Sequence, residues 1–437
     1  MEGHSHSSAI FPVEITDMFI DLLQKDEQAL RSFSLISRSW CSRARLYSFR
    51  ELTLKPARAD NGTQRLSFLP RLRRLQELSP NTCRSVRHVC VEGGDVYGLY
   101  SDQPTIDTGF LQQVLQLFTN LEDLLLSCRM VQSKSDPTGN NRYHDKFTSP
   151  RALKTLTLRL DVRVGHDIYP HNVFGLLSSL ETLCLDCCYV MIRPPGHFRF
   201  PDLQRLTIRA GTTGDFLNDL FWTEGHHVDL RSLSSLHVEL DDIPFTELNK
   251  ILVSASNSLH ELHLGGLLQY ISHYLYMGFL GTVIDDPSSL WAGINFDACS
   301  ALAHLQLHCV VENPSILPNL PQAVMPAILS ILTFFSSSAH ACRLTSKDHG
   351  LSITIDLEVV SPDLELLQYL FLVSPWARFR NILSSLQQTH GLRRLRFLLR
   401  DGLGREESLS GYQFRETMMP VKQALQDMSE AGLVIFE

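Results

Sequence analysis

Three groups of residues have types and spacings suited to chemistry. Cys184, Cys187 and Cys188 include a C-x-x-C step, which is half of a structural zinc site. The other half would be a second pair at comparable spacing. None follows, so no metal is expected. His260-Glu261-Leu262-His263 has the composition of a zinc-protease helix. In that helix, however, the two histidines stand four apart so that they share one face. Here they stand three apart, in a stretch that alternates like a strand. His226-His227 reads as a loop pair, and His4 and His6 belong to a polar tail. There is no G-x-S-x-G elbow, phosphate loop or dinucleotide glycine fingerprint. Arg393, Arg394, Arg396 and Arg400, with Arg71, Arg73 and Arg74, make local basic spots. These suit either a solvated face or the holding of an acidic segment. No catalytic set, metal or cofactor emerges, and the chain is not expected to be an enzyme.

The elements that would carry these residues follow a short theme. It places apolar residues at a first position, three later and two after that. Copies stand at Val86-Val89-Val91, Leu121-Leu124-Leu126, Leu153-Leu156-Leu158, Leu180-Leu183-Leu185 and Leu203-Leu206-Ile208. More stand at Leu233-Leu236-Val238, Leu259-Leu262-Leu264, Leu302-Leu305-Leu307 and Leu392-Leu395-Phe397, nine in all. The last two positions of each copy lie two apart, so both point inward along a strand while their neighbours face out. Such a theme is the core of a leucine-rich repeat, each unit giving one strand to a curved parallel sheet. Only Leu180 to Val190 completes the longer pattern, with Cys188 in its Asn/Cys position. Most spacings exceed the standard repeat of roughly 20–29 residues. The expectation is therefore an irregular, leucine-rich-repeat-like solenoid over 63–437, with helices filling the gaps as parallel crossovers require. The alternative is an ordinary α/β sheet with leucine-heavy strands. Helices are expected at Phe110–Phe118, Thr246–Ala255, Val324–Phe335, Leu364–Phe371, Ala377–Gln388 and Gln413–Ser429. The wide interval between Leu302 and Leu392 should hide a further strand at Leu351–Leu357, which alternates cleanly. Gly432–Phe436 reads as a last strand or end cap. Gln132–Pro150 is polar and turn-rich, hence a surface loop. The insertion Gly265–Ala298 carries Tyr270, Tyr274, Tyr276 and Trp291, residue types that dominate interface hot spots. It reads either as a substrate-binding rim or as a self-packed extension of the core.

Phe11 to Leu54 has a different character. Pro12 suits a first helical turn, and Glu14 and Asp17 place negative charge near the positive end of that helix. Ile15, Met18, Phe19, Leu22 and Leu23 recur at helical spacing. Asp26 can cap a second helix with Ala29, Leu30, Phe33, Leu35 and Ile36. Trp40, Ala44, Leu46 and Tyr47 belong to a third. So short a segment cannot bury that many large apolar groups within itself, so part of the surface should belong to a partner.

Read in order, Phe11-Pro12-Val13-Glu14-Ile15, Ser34-Leu35-Ile36-Ser37-Arg38-Ser39-Trp40, Ala44-Arg45 and Phe49-Arg50 resemble an F-box, closest to the version common in large fungal families. That resemblance implies docking on the Skp adaptor of a Skp–cullin–F-box ubiquitin ligase. Phe11, Pro12, Ile15, Leu22, Leu35, Ile36 and Trp40 would form the docking surface or hold its fold. Phe11 stands where leucine is usual and Phe33 where a small residue or cysteine is common. Both keep the position apolar. The implied organisation is a tail (1–10), an F-box (11–54), a linker (55–62) and the solenoid. The implied function is that of a substrate-recognition adaptor which brings an unknown protein to a cullin ligase. The alternatives are a non-degradative scaffold or a simple three-helix cap on a larger domain.

Composition agrees with a folded chain. Of 437 residues, 44% are hydrophobic and 20% charged, outside the disordered range. A net charge of −8 gives no reason to expect nucleic acid as a partner. The opening ten residues lack the regions of a secretory signal. The longest apolar run, Ala323–Phe335, is too short to span a bilayer. Ten cysteines without an export signal suggest free thiols, hence cytoplasm or nucleus, with no membrane partner.

Overall fold

The computed structural model describes residues 13–36, 38–55, 57–58, 66–78, 80–93, 105–130, 151–159, 171–186, 188, 202–209, 211–222, 230–240, 243–266, 291, 293–311, 320–338, 350–360, 368, 371–372, 374–401 and 411–436. It divides into two compact units, Met1–Ser179 and Leu180–Glu437. Both are α/β, and each is built on parallel strands.

The first unit opens with helices α1 (Val13–Leu22), α2 (Glu27–Ile36) and α3 (Arg38–Ser48). Asp26 starts α2 as its residue type predicts, its Oδ1 accepting the Ala29 N–H at 2.9 Å and satisfying one of the donors a helix start leaves open. Two residues after α3 the chain enters β1 (Glu51–Leu54). Next come the short antiparallel pair β2 (Ala57–Arg58) and β3 (Leu66–Ser67), helices α4 (Leu69–Leu78) and α5 (Pro80–Cys83), and β4 (His88–Glu92). Further on, β5 (Thr105–Ile106) pairs with β7 (Arg129–Met130), and between them lie α6 (Thr108–Leu117) and β6 (Asp123–Ser127). Strand β8 (Arg151–Arg159) and the one-turn α7 (His171–Phe174) complete the unit. Its main strands run in the order β1-β4-β6-β8, all parallel, with Leu52, Val89, Leu124 and Leu156 side by side.

The second unit holds β9 (Leu177–Asp186), β10 (Arg205–Ile208), β11 (Ser235–Glu239), β12 (Glu261–Gly265), β13 (His304–Val311), β14 (Ser352–Val359), β15 (Arg394–Asp401) and β16 (Val434–Phe436), parallel and in chain order. Its helices are α8 (Gly214–Trp222), α9 (Phe245–Ser254), α10 (Leu320–Ser337), α11 (Trp376–His390), α12 (Gly411–Ala424) and α13 (Gln426–Glu430). Leu183, Leu206, Leu236, Leu262, Leu305, Ile353, Leu395 and Val434 form one register row.

Every apolar position of all nine sequence copies is buried. Because the copies align in register, like stacks on like, and each strand repeats its neighbour's pattern of inward and outward residues. A backbone feature repeats with them. The carbonyl just before a strand accepts two successive N–H groups of the next: Arg50 from Arg87 and His88, Arg87 from Glu122 and Asp123, Gln204 from Ser234 and Ser235, Ser234 from His260 and Glu261. This fixes where each strand starts relative to the last.

The extra strand expected near Leu351–Leu357 is β14, and the final one is β16. The expected helices at Phe110, Thr246, Val324 and Ala377 are present with slightly shifted ends, while the one over 413–429 is split at Leu425 into α12 and α13. Most of the expected helix Leu364–Phe371 lies outside the described residues, as do the loop 132–150 and the tail 1–10. Among the described residues, no helix is long and apolar enough to cross a membrane.

Candidate functional site

The first candidate is the surface of the helical trio. Helix α3 packs against both α1 and α2, around a small core of Ile20, Leu30 and Ala44 with Leu23, Phe33, Trp40 and Tyr47 beside it. Trp40 stacks on Phe33, ring centroids 5.2 Å apart and 17° from parallel, which ties α2 to α3. A polar clasp ties α1 to α3: Arg43 donates to both carboxylate oxygens of Asp21 at 2.9 and 2.8 Å, and the Tyr47 hydroxyl donates to the same group at 2.7 Å. These hydrogen bonds, Arg43 first, hold the Asp21 carboxyl below its usual range.

Helix α1 is apolar on two sides. Ile20 and Leu23 turn inward, whereas Ile15, Met18, Phe19 and Leu22 make the i, i+3, i+4, i+7 stripe on the outside. Leu22 is 78% exposed and Met18 65%; on α2, Leu35 is 87% exposed and Ile36 60%. Of eleven large hydrophobics exposed among the described residues, eight lie between Ile15 and Phe49. Clustered exposure of this kind marks an interaction site, whereas single exposed hydrophobics are ordinary. The three others, Val253, Leu372 and Met419, are far apart in sequence. Of the residues assigned to docking, Ile15, Leu22, Leu35 and Ile36 are thus on the surface, Trp40 holds the trio together, and Phe11 and Pro12 lie outside the described residues.

A second candidate lies on the face of the second unit's sheet opposite the leucine rows. His237 and His263 occupy neighbouring positions of one register row, rings stacked at 3.8 Å and 24°. His308 meets His263 edge-on at 5.9 Å and 88°, and its Nε2 lies 3.0 Å from Glu358 Oε2. Beside them, Asp356 Oδ2 accepts from Gln306 Nε2 and Arg400 Nη2, each at 3.0 Å. Burial is the main reason that His237 is held below the usual histidine range and His263 is held down to about 3. Both rings are therefore neutral at ordinary pH. As a local motif, His260 to His263 carried no meaning. The signal was in the repeat: His237 and His263 fill the same outward position of successive copies.

The aromatic insertion is described only in part. Tyr270, Tyr274 and Tyr276 lie outside the described residues. Trp291 is fully buried, its Nε1 donating to Ser330 Oγ at 2.6 Å and its ring 6.5 Å from that of Phe245. A side chain so enclosed packs the core and offers no surface to a partner. Cys184 and Cys188 are buried, and Cys187 lies outside the described residues.

No family model matches the chain, and comparison with curated proteins yields no match.

Proposed function

We propose that this chain is a substrate-recognition adaptor of a Skp–cullin–F-box ubiquitin ligase, with α1–α3 as an F-box and the parallel-stranded body as an irregular leucine-rich-repeat-like recognition domain. The observation that carries the reading is the concentration of exposed apolar side chains on the trio, at Ile15, Met18, Phe19, Leu22, Leu35 and Ile36. Fully burying one such side chain contributes about 1.5–3 kcal/mol, so four to six of them exceed the usual cost of association of roughly 4–15 kcal/mol only when most are covered together. That favours a preformed apolar partner surface, which is what the F-box resemblance implies for the Skp adaptor. The chain would then supply no bond-making chemistry. It would hold a target close to a ubiquitin-charged enzyme, where proximity raises the rate.

The test is co-purification with the Skp adaptor of wild type and an Ile15→Asp, Leu35→Asp double variant, with circular dichroism and elution volume showing that the variant stays folded. A complex formed by wild type and lost in the variant is the expected result. Absence of a wild-type complex refutes the adaptor reading and leaves a three-helix cap. Cullin-dependent ubiquitin transfer to a co-purifying protein separates a ligase adaptor from a non-degradative scaffold.

A further inference from the structure

Helices α4 and α6 of the first unit meet near their starts, where Phe68 packs on Phe110 with ring centroids 5.5 Å apart. Further along they border a groove of about 430 Å³, with Leu72 and Gln76 on the α4 side and Gln113, Gln116 and Leu117 on the α6 side. Residues three or four apart share a helix face, so each helix turns polar and apolar groups to the same space. Arg84 and Thr119, from the turns that follow α5 and α6, complete the lining. The volume lies within the range of roughly 300–1,000 Å³ that ligand sites occupy.

The backbone at the Arg84 end is pinned while the side chains are left free. Asn120 Nδ2 donates to the Arg84 carbonyl at 2.7 Å, and Arg151 Nη1 donates to the Thr119 carbonyl at 3.3 Å. The Arg84 guanidinium makes no ion pair with the described residues, and neither it nor the amides of Gln76, Gln113 and Gln116 hydrogen-bond to them. By contrast Arg43, Arg87, Arg209 and Arg400 each stand within ion-pair distance of a carboxylate. Among the described residues no carboxylate lines the groove, and Glu122, three residues beyond Thr119, is held by Arg87 and Lys154. The end of α6 contributes about half a unit of negative charge, which Arg84 and Arg151 together outweigh. The groove is therefore positive, rich in amides, and apolar at Leu72 and Leu117.

We propose that this groove binds an extended, acidic peptide segment of a partner protein, with a side-chain carboxylate seated on Arg84. A guanidinium meets a carboxylate through two parallel N–H groups. A glutamine amide has two donors and an acceptor, so each one can meet both the N–H and the C=O of a passing peptide group. Leu72 and Leu117 give apolar contact to a neighbouring side chain. A basic segment would face Arg84 with no carboxylate to answer it, and a helical segment keeps its backbone groups for its own hydrogen bonds. That the segment belongs to a ligase target rests on the adaptor reading. The test needs no Skp adaptor, so the two fail separately.

The experiment follows the leucine methyl resonances of the full chain during titration with acetyl-Ala-Leu-Glu-Leu-Ala-amide, with its glutamine and lysine counterparts, and with acetate. The Leu72 and Leu117 methyls should shift with the glutamate peptide, with a Kd of roughly 1 mM, the range of a few small contacts. The glutamine peptide and acetate should each bind at least about fivefold more weakly, and the lysine peptide more weakly still. Arg84→Gln should weaken the glutamate peptide at least about fivefold and leave the glutamine peptide unchanged, a split that misfolding would not produce. The Gln113→Leu, Gln116→Leu double variant should weaken both peptides. The proposal is overturned by absence of shifts at about 10 mM peptide, or by glutamine peptide, lysine peptide or acetate binding as tightly as the glutamate peptide. Undiminished binding in either folded variant overturns it too.

Discussion

Mild acid should destabilise the second unit through His263. Its imidazole lies face to face with His237 and is held neutral down to about 3, first by burial and then by the nearby His237, His308 and Arg400. In an unfolded chain the same ring titrates near 6.5. Between those values the unfolded state takes up a proton that the folded state refuses, so stability falls as pH drops below about 6.5 and the loss is complete near 3. At about 1.4 kcal/mol per pH unit, the loss by pH 5 is about 2 kcal/mol. Water reaching the ring edges reduces this to about 1–2 kcal/mol. His263→Phe keeps a flat ring against His237 and removes the titration. Urea unfolding of both proteins at neutral pH and near pH 5 isolates the effect, because every other group titrates in both. Wild type should lose about 1–2 kcal/mol more than the variant over that interval. Equal losses would refute the reasoning.

Other substitutions test the packing. Leu206→Ala removes a fully buried member of the register row and should cost about 2–5 kcal/mol in urea unfolding. Gly293→Ala would drive a Cβ into the Phe245 ring and should cost about 1–3 kcal/mol through overpacking, read in the same assay. Trp291→Phe removes the hydrogen bond to Ser330 and should cost about 1–2 kcal/mol, with no loss of target binding. Asp21→Asn breaks the clasp to Arg43 and Tyr47 and should lower the thermal midpoint of the trio, less so in high salt.

Much of this fold was legible in the sequence because one constraint is repeated. A strand buried on one face must alternate, and nine copies of the same alternation fix both the strands and their stacking. Strand β14 was readable even outside that frame, from Ile353, Ile355 and Leu357. Helix α8 was not, because Phe216, Leu217, Leu220 and Phe221 form only a short run; the start signal that could have found it is Thr213, whose Oγ1 accepts the Phe216 N–H at 3.3 Å. Helix α4 was hidden because Arg71, Arg73 and Arg74 interrupt its apolar pattern and draw attention as charges. On α1 the period revealed an apolar stripe but not which side it takes, since Ile20 and Leu23 supply a second one. The His237–His263–His308 cluster went unseen because each histidine means nothing locally. The column of outward positions down the repeat brings His237 and His263 together, and His308 stands two residues along its strand from Gln306, the next place in that column.

The most direct measurement of the central claim is hydrogen–deuterium exchange of the full chain with and without the Skp adaptor. The account predicts that exchange slows in α1 and α2, around Ile15–Leu22 and Leu35–Ile36, and is unchanged over the sheet strands of the second unit. Protection confined to the strands, or no protection anywhere at saturating adaptor, would contradict it.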